Sequence, residues 1–194
     1  MMARAHPQFA LRPYLPQDAP MLAEIFRAAV EELTEDDYNP AQQEAWAALA
    51  DDLEEFAARL GKHLTLIATM QGSPVGFISL DAPTDIGLLY VHPAVAGQGV
   101  GKTLYDAVEK LSASRGVAQL SVDASDTARE FFERRGFVAE QRNTVSVGNE
   151  WLSNTTMKKQ LAANSSAERK STSRNIAHAS ISGCAMTSRT HISA

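Results

Sequence analysis

Apolar positions along the chain follow two periods, one typical of helices and one typical of strands. Four apolar residues between 22 and 30 recur three to four residues apart, which predicts a helix that Asp18 caps and that ends near Glu32. We expect further helices over 39–46, 51–60, 101–114 and 127–135, and strands over 9–14, 63–70, 74–80, 85–91, 119–123, 137–147 and 151–159. Gly61 is predicted to close the third helix. This order of elements predicts an α/β (α+β) domain with helices flanking a mixed, mostly antiparallel sheet.

The segment from Leu88 to Leu104 joins an apolar strand, a proline and a glycine-rich turn that opens a helix. Glycines at 97, 99 and 101 permit unusual backbone dihedral angles and leave room around the backbone. Several amide N–H groups can therefore converge on one phosphate at the positive end of the helix. The sequence predicts a site for a phosphorylated cofactor.

These glycines have three other interpretations. A dinucleotide fingerprint needs Gly-x-Gly-x-x-Gly, whereas this chain has Gly-x-Gly-x-Gly. The stretch from Ala96 to Thr103 approaches the phosphate loop of NTPases, but too few strand-helix units follow it to build a parallel core. The third interpretation is a helix start that binds no ligand. Three glycines in five residues destabilise a helix, so they are expected mainly where another group must approach the backbone closely.

Three blocks of the chain, in order, resemble the GNAT superfamily of N-acetyltransferases. Tyr-Val-His-Pro at 90–93 and the glycine loop are similar to that family's acetyl-CoA motif. Residues 125–137 contain a polar residue, an alanine, an aromatic pair and Gly-Phe at the spacing that recurs in the family's following helix and strand. Residues 11–19 resemble the family's first strand and the start of its first helix. The resemblance implies a splayed central pair of strands. It also implies transfer of the acetyl group of acetyl-CoA, the co-substrate, to a primary amine of a small molecule or peptide.

By this resemblance, acetyl-CoA is held by the fourth strand, the glycine loop and the helix that follows the fifth strand. The residues implied are Leu89, Tyr90, Val91, Gly97, Gln98, Gly99, Val100, Gly101, Lys102, Thr103, Ser125, Ala128 and Phe132. Two positions depart from the family pattern. Ala96 replaces the usual Gln or Arg, and Phe132 stands where many members carry a Tyr that protonates the leaving thiolate. A non-catalytic acyl-CoA-binding module is therefore the alternative function.

The catalytic candidates lie in and after the strand at 85–91: Tyr90, Asp85 and His92. Asp85 begins that strand, and His92 belongs to the residue type that titrates near neutral pH. A turn role for Asp85 and a loop role for His92 remain open, as does a core position for Tyr90. Tyr105 is a further candidate acid, although a thiolate leaves readily without one because a thiol has a low pKa compared with an amine.

An acidic segment between the first two helices predicts how the acceptor is selected. Its carboxylates, among them Glu31 and Asp37, precede Tyr38 and Trp46. Carboxylates attract a cationic amine and aromatic faces stack against it, so these four residues are substrate-binding candidates. A solvated acidic loop with two core aromatic residues is the alternative.

Composition narrows the range of partners and locations. The chain has a net charge of −5, while residues 161–194 hold four basic residues against one acidic residue. The body is therefore acidic, which argues against nucleic acid as a partner. No apolar run suits a membrane span, no secretory signal is recognisable, and Cys184 is the single cysteine. We expect a cytoplasmic protein without a membrane partner.

The chain divides by composition into two parts. Residues 1–160 are predicted to form the catalytic domain, and residues 161–194, rich in Ser, Thr, Asn and Ala, to form a disordered tail. No metal site is predicted. The oligomeric state is left open, a homodimer included.

Overall fold

One seven-stranded sheet with an apolar layer on each face organises residues 9–161, the part of the chain that the computed structural model describes. Its strands are β1 (Ala10–Pro13), β2 (Leu64–Met70), β3 (Ser73–Ala82), β4 (Asp85–Val91), β5 (Gln119–Ser125), β6 (Val138–Val147) and β7 (Glu150–Gln160). They lie in the order β1-β2-β3-β4-β5-β7-β6, and only the pair β4 and β5 is parallel. The prediction of a mixed, mostly antiparallel sheet is confirmed.

Two groups of helices cover the two faces of this sheet. They are α1 (Ala19–Leu33), α2 (Pro40–Ala47), α3 (Leu53–Lys62), α4 (Val100–Ser114) and α5 (Asp126–Glu133). The first three pack on one face, around the completely buried Trp46 and Phe77. The last two pack on the other face, around the completely buried Leu104 and Phe132. A parallel NTPase core does not fit this sheet within residues 9–161.

Two predicted helix ends are corrected by the structure. Gly61 does not close α3, because that helix runs on to Lys62 and is followed by His63 in an extended conformation. Asp18 precedes α1 without capping it. Its carboxylate accepts hydrogen bonds from both terminal nitrogens of Arg12, each at 2.7 Å, and from the backbone N–H of Leu15 at 2.9 Å. Asp18 therefore fastens the segment before α1 to strand β1.

The parallel pair of strands is joined at one end only. Asp85 is paired with Ser121 and Ile86 with Val122, and the register of β4 against β5 contains no other pair. Beyond Ile86 the two strands separate, so the rest of β4 has an open edge. The predicted splay of the central strands is present.

Gly87 lies where the two strands begin to part. On the β3 side, Leu88 and Ile86 pair with consecutive residues, so Gly87 forms a β-bulge. A Cβ atom at Gly87 would lie 2.1 Å from the carboxylate of Asp81. Only glycine fits this bulge, because the Asp81 side chain occupies the space that any other side chain needs.

The described chain ends just after β7. The N–H of Leu161 donates to the carbonyl oxygen of Ala118 at 2.8 Å, and the remainder of the predicted tail lies outside the described residues. None of the helices within residues 9–161 combines the length and the apolar character needed to cross a bilayer. The cytoplasmic location stays a prediction.

The Asp18→Asn variant should lose about 2 kcal/mol of unfolding free energy at pH 7, because hydrogen bonds to charged groups contribute about 1.5–3 kcal/mol. The hydrogen bonds from Arg12 lower the pKa of Asp18. Its stabilisation is therefore complete above the unfolded pKa and is lost as the pH falls through the lower folded value.

Urea unfolding of wild type and variant at pH 7 and at about pH 2 measures this difference, which should shrink at the acidic pH. The matched control is Asp51→Asn. The carboxylate of Asp51 is 69% exposed in its ion pair with Arg27, so we expect a change below about 0.5 kcal/mol. A pH-independent difference for Asp18→Asn would contradict the assigned ionic contact.

Candidate active site

A cleft of about 660 Å³ opens between the first turn of α4 and one side of α5. Val91, at the end of β4, lies at its base. The loop from Val95 to Lys102 forms one wall, and side chains of α5 form the other. The cleft thus meets the open edge of β4.

The glycine loop brings backbone donors to this cleft. Gly97 and Gly99 have positive φ angles of 76° and 93°, and nothing lies within 4 Å of a Cβ atom built on either. Gly99 caps α4, whose first internal hydrogen bond runs from the N–H of Thr103 to the carbonyl of Gly99 at 3.0 Å. The N–H groups of the preceding helical residues therefore remain free of helical partners, which makes this helix start suitable for an anion.

Gly101 has a different role from the other two loop glycines. A Cβ atom there would approach the ring of Phe131 to 3.3 Å, closer than most real contacts. The missing side chain lets α4 and α5 come together at the floor of the cleft. Gly101 is a packing glycine, whereas Gly97 and Gly99 are conformational ones.

The open edge of β4 presents alternate N–H groups toward the gap. The N–H of His92 donates to the carbonyl of Val75 on the β3 side at 2.9 Å. Because hydrogen-bond direction alternates along an antiparallel strand, the N–H of Tyr90 also points to β3, while those of Leu89 and Val91 point away from it. Two of the three backbone groups predicted to hold the co-substrate thus face the gap, and that of Tyr90 does not.

The side chain of Tyr90 lies in the core on the side of α1, α2 and α3. It is completely buried, its ring stacks on Phe77 with centroids 5.7 Å apart, and its hydroxyl accepts a hydrogen bond from Nε1 of Trp46 at 3.2 Å. Burial raises the pKa of Tyr90. The prediction that Tyr90 is a catalytic group is corrected: its hydroxyl has no route to a ligand in the cleft.

The other two predicted aromatic positions are also structural. Trp46 is completely buried against Tyr90 and Tyr38, so it is not a substrate-binding surface. The hydroxyl of Tyr38 donates to the carbonyl of Ser153 at 2.7 Å and accepts from the N–H of Asp126 at 3.0 Å. Burial raises the pKa of Tyr38 to about 12. The alternative of two core aromatic residues is the one the structure supports.

The acidic segment around these aromatic residues does not form one surface with them. Glu31 is exposed on α1, and its carbonyl oxygen accepts a hydrogen bond from the side chain of Gln43 at 3.2 Å. The carboxylate of Asp37 accepts a hydrogen bond from the hydroxyl of Thr127 at 2.6 Å. Since Thr127 borders the cleft, Asp37 supports the co-substrate side of the molecule.

His92 and Asp85 occupy positions outside the large cleft. Nδ1 of His92 accepts the N–H of Ala94 at 3.1 Å and so caps the short turn that leads into the glycine loop. Asp85 accepts a hydrogen bond from the hydroxyl of Ser121 at the closed end of the splay. His92 has the loop role left open above, and Asp85 borders a second cavity of about 230 Å³.

Several residues predicted to hold the co-substrate instead shape its surroundings. The hydroxyl of Thr103 donates to the carbonyl of Gly99 at 3.0 Å, and Nε2 of Gln98 donates to the carbonyl of Ala94 at 3.2 Å. Ser125 is buried and caps α5 by accepting the N–H of Ala128 at 3.1 Å. These contacts fix the loop and the start of α5.

Phe132 requires a correction, because it is completely buried and packs against Phe137 and Tyr105. Its neighbour Phe131 borders the cleft instead. One position along a helix turns a side chain by about 100°, so only one of the two rings can face the ligand.

The cleft wall that α5 contributes was not predicted from the sequence. Its members recur three or four residues apart and continue one turn beyond the helix: Thr127, Glu130, Phe131, Arg134 and Arg135. This helical spacing was a usable signal, since residues at such intervals share one side of a helix. Ala96, Val95 and Asp106 complete the cleft and were likewise missed.

Comparison with known proteins identifies the family of this chain. A family model described as an acetyltransferase (GNAT) domain matches residues 34–161. This chain belongs to the GNAT family. It is 34% identical over 144 residues to YafP, an uncharacterized N-acetyltransferase of Escherichia coli K12, covering 74% of this chain and 91% of YafP. The expected family is confirmed, and the protein is an acyltransferase.

Solved structures of GNAT proteins share the fold. A GCN5-related N-acetyltransferase from Rhodopseudomonas palustris is 60% identical, with a TM-score of 0.78 over 83% of this chain and 99% of that one. The PaiA N-acetyltransferase of Thermoplasma acidophilum, in complex with coenzyme A, is 21% identical, with a TM-score of 0.66 over 79% of this chain and 99% of its own. The latter supports the fold alone.

Replacing Gly99 by Val should weaken acetyl-CoA binding by more than about tenfold, because a β-branched residue resists positive φ and its strain displaces the amides of α4. Lys102→Ala should weaken it less than about threefold, since this exposed lysine is already paired with Asp106. Isothermal titration with acetyl-CoA measures both.

The control is Gly116→Val, which introduces the same strain at a φ of 75° in open space beyond the far end of α4. It should leave the affinity unchanged. A larger loss in Lys102→Ala than in Gly99→Val, or nucleotide hydrolysis that depends on Lys102, would contradict an amide-based phosphate site.

Proposed function

We propose that this protein transfers the acetyl group of acetyl-CoA to a primary amine of a small molecule or peptide. One observation carries the proposal: the open edge of β4 runs from Val91, which borders the cleft, to a second cavity at the closed end of the splay, which Asp85, Ile86 and Gly87 border. A long, extended co-substrate and a separate acceptor fit such a path.

The residues along the path suit acetyl-CoA. The amides at the start of α4 suit its pyrophosphate, and the N–H groups of Leu89 and Val91 suit the pantetheine arm and the acyl carbonyl. A buried Nε of Arg135 on the cleft wall lacks a hydrogen-bond partner within the described residues, as expected where an anionic ligand belongs. When bound, acetyl-CoA supplies an activated acyl group on a thiol that departs readily.

The length of the path also fits. Val91 and Gly87 are separated by four residues, or roughly 13 Å along an extended strand. A pantetheine arm can span this distance in an extended conformation. With its phosphates at the glycine loop, its reactive end reaches the point where β4 and β5 meet, beside the second cavity.

The second cavity opens on the opposite face of the sheet from α4 and α5. Ile86, Val122 and Met157 belong to the apolar layer beneath those helices. Because side chains alternate along strands, their neighbours Asp85 and Asp123 point to the other face. An acceptor can therefore approach the thioester from the side that the co-substrate leaves free.

Fixed carboxylates line this second cavity. The hydroxyl of Thr156 donates to Asp123 at 2.6 Å, and Nδ2 of Asn143 donates to the Thr156 oxygen at 2.8 Å. Asp85 is held by Ser121. We assign Asp123 to holding a protonated amine and Asp85 to accepting its proton, directly or through water. The acceptor site thus moves from the α1–α2 segment to this cavity.

Release of CoA thiol, followed with a thiol-reactive dye, tests the proposed activity. Wild type should release thiol from acetyl-CoA only when a suitable amine from a panel of small amines and peptide amines is present. Mass spectrometry should find the acetylated amine. Binding of acetyl-CoA without thiol release across the panel would instead identify an acyl-CoA-binding module.

Asp123→Asn tests the acceptor cavity. The amide oxygen keeps its hydrogen bond from Thr156, but the charge is lost, so KM for a cationic amine should rise by about tenfold or more. The dissociation constant for acetyl-CoA should stay unchanged, since its cleft lies across the sheet. The control is Glu31→Gln, which should leave KM unchanged. A higher KM in that control, with none in Asp123→Asn, would return the acceptor to the α1–α2 segment.

A further inference from the structure

Arg135 occupies an unusual position at the edge of the cleft. It follows the last turn of α5, and its guanidinium carbon lies 3.3 Å from the ring centroid of Phe131 and 5.6 Å from that of Tyr105. One terminal nitrogen, Nη1, donates to the carbonyl oxygen of Phe131 at 2.7 Å. Stacking and this hydrogen bond hold the planar group in place against the cleft wall.

The same guanidinium has hydrogen-bond donors that are not used within the described residues. Its Nε is buried and has no hydrogen-bond partner within residues 9–161. An arginine carries five N–H donors in a fixed plane and accepts nothing, so its unused donors suit an oxyanion. Because a buried polar group without a partner destabilises the fold, a ligand on this wall is the simplest reason to keep it.

The other cations at the cleft are already paired. Lys102 forms an ion pair with Asp106, and Arg134 forms one with Glu130. Among the cations that border the cleft within the described chain, Arg135 alone has no ion-pair partner. Asp106 and Glu109 are the carboxylates that act on the pKa of Arg135, but each forms an ion pair with another residue. Asp106 pairs with Lys102, and Glu109 pairs with Lys159.

Arg135 and the glycine loop lie on different walls of the cleft. The loop leads into the first turn of α4, whereas Arg135 follows α5 and its guanidinium stacks on Phe131. The amides at the helix start and the Arg135 guanidinium are therefore two separate anion-binding positions in one cleft. A ligand that fills both needs two separated phosphate groups.

We propose that Arg135 binds the 3′-phosphate of CoA, while the amides of the glycine loop bind the pyrophosphate. This assignment rests on the proposed function. It makes Arg135 a binding residue that distinguishes CoA from the same molecule without its ribose phosphate. The stacked, preorganised guanidinium loses little freedom when it engages that group.

Isothermal titration with CoA and with 3′-dephospho-CoA tests the assignment in wild type, Arg135→Gln and Arg129→Gln. Wild type should bind CoA at least about tenfold more tightly than dephospho-CoA, as expected for a charge-assisted contact with a phosphate. Arg135→Gln should bind CoA as weakly as dephospho-CoA and leave the affinity for dephospho-CoA unchanged. Arg129, on the same helix and paired with Glu133, lies outside the cleft, so its variant should behave as wild type.

Binding of dephospho-CoA shows whether a substitution at Arg135 perturbs the whole cleft or only the contact with the 3′-phosphate. If Arg135→Gln weakens both ligands equally, Arg135 serves packing or the pyrophosphate and the assignment is overturned. A tenfold preference for CoA that survives in Arg135→Gln, or no preference in wild type, overturns it as well. Failure of wild type to bind either ligand would reject the proposed function itself, which keeps the two failures distinguishable.

Discussion

The parting of β4 from β5 after two paired residues is the constraint on which the rest of the site depends. A parallel pair that continued its hydrogen bonds would close the gap and leave no donors for a ligand. The bulge at Gly87 begins the separation, and the carboxylate of Asp81 lies directly against that glycine. The Asp81 side chain of β3 and the open edge of β4 are thus parts of one local arrangement.

The two helices that follow the splayed strands convert this opening into a cleft. Each begins at the carboxyl end of one of them, so their first turns diverge with the strands. They approach again where Gly101 admits the ring of Phe131. The cleft is therefore open toward solvent and closed at its base by a glycine-aromatic contact, with backbone donors on one wall and side-chain cations on the other.

The sequence predicted the sheet, the glycine loop and the family because these depend on local periods and short-range spacing. It placed Tyr90 incorrectly for a physical reason. The bulge at Gly87 reverses the alternation of β4, so that Ile86 faces one layer while Leu88 and Tyr90 face the other. Gly87 is the sequence signal of such a bulge, because a glycine inside a strand often marks one, but it equally suits close packing and so does not show which way Tyr90 points.

Other parts of the site differ in whether the sequence alone could have predicted them. The second cavity joins Asp85, Asp123 and Thr156 from three strands, and only the order β4-β5-β7 brings them together. The sequence could have shown which of Phe131 and Phe132 borders the cleft. Polar residues share the helical side of Phe131, whereas the side of Phe132 carries the buried Ala128.

The hydroxyl of Tyr38 ties three distant parts of the chain to one atom. It joins the loop after α1 to β7 through Ser153 and to the start of α5 through Asp126. A second link runs beside it from Asp37 to Thr127 on the cleft wall. The segment between α1 and α2 is therefore a structural support of the co-substrate wall, since a surface loop that faces solvent also sets the position of α5.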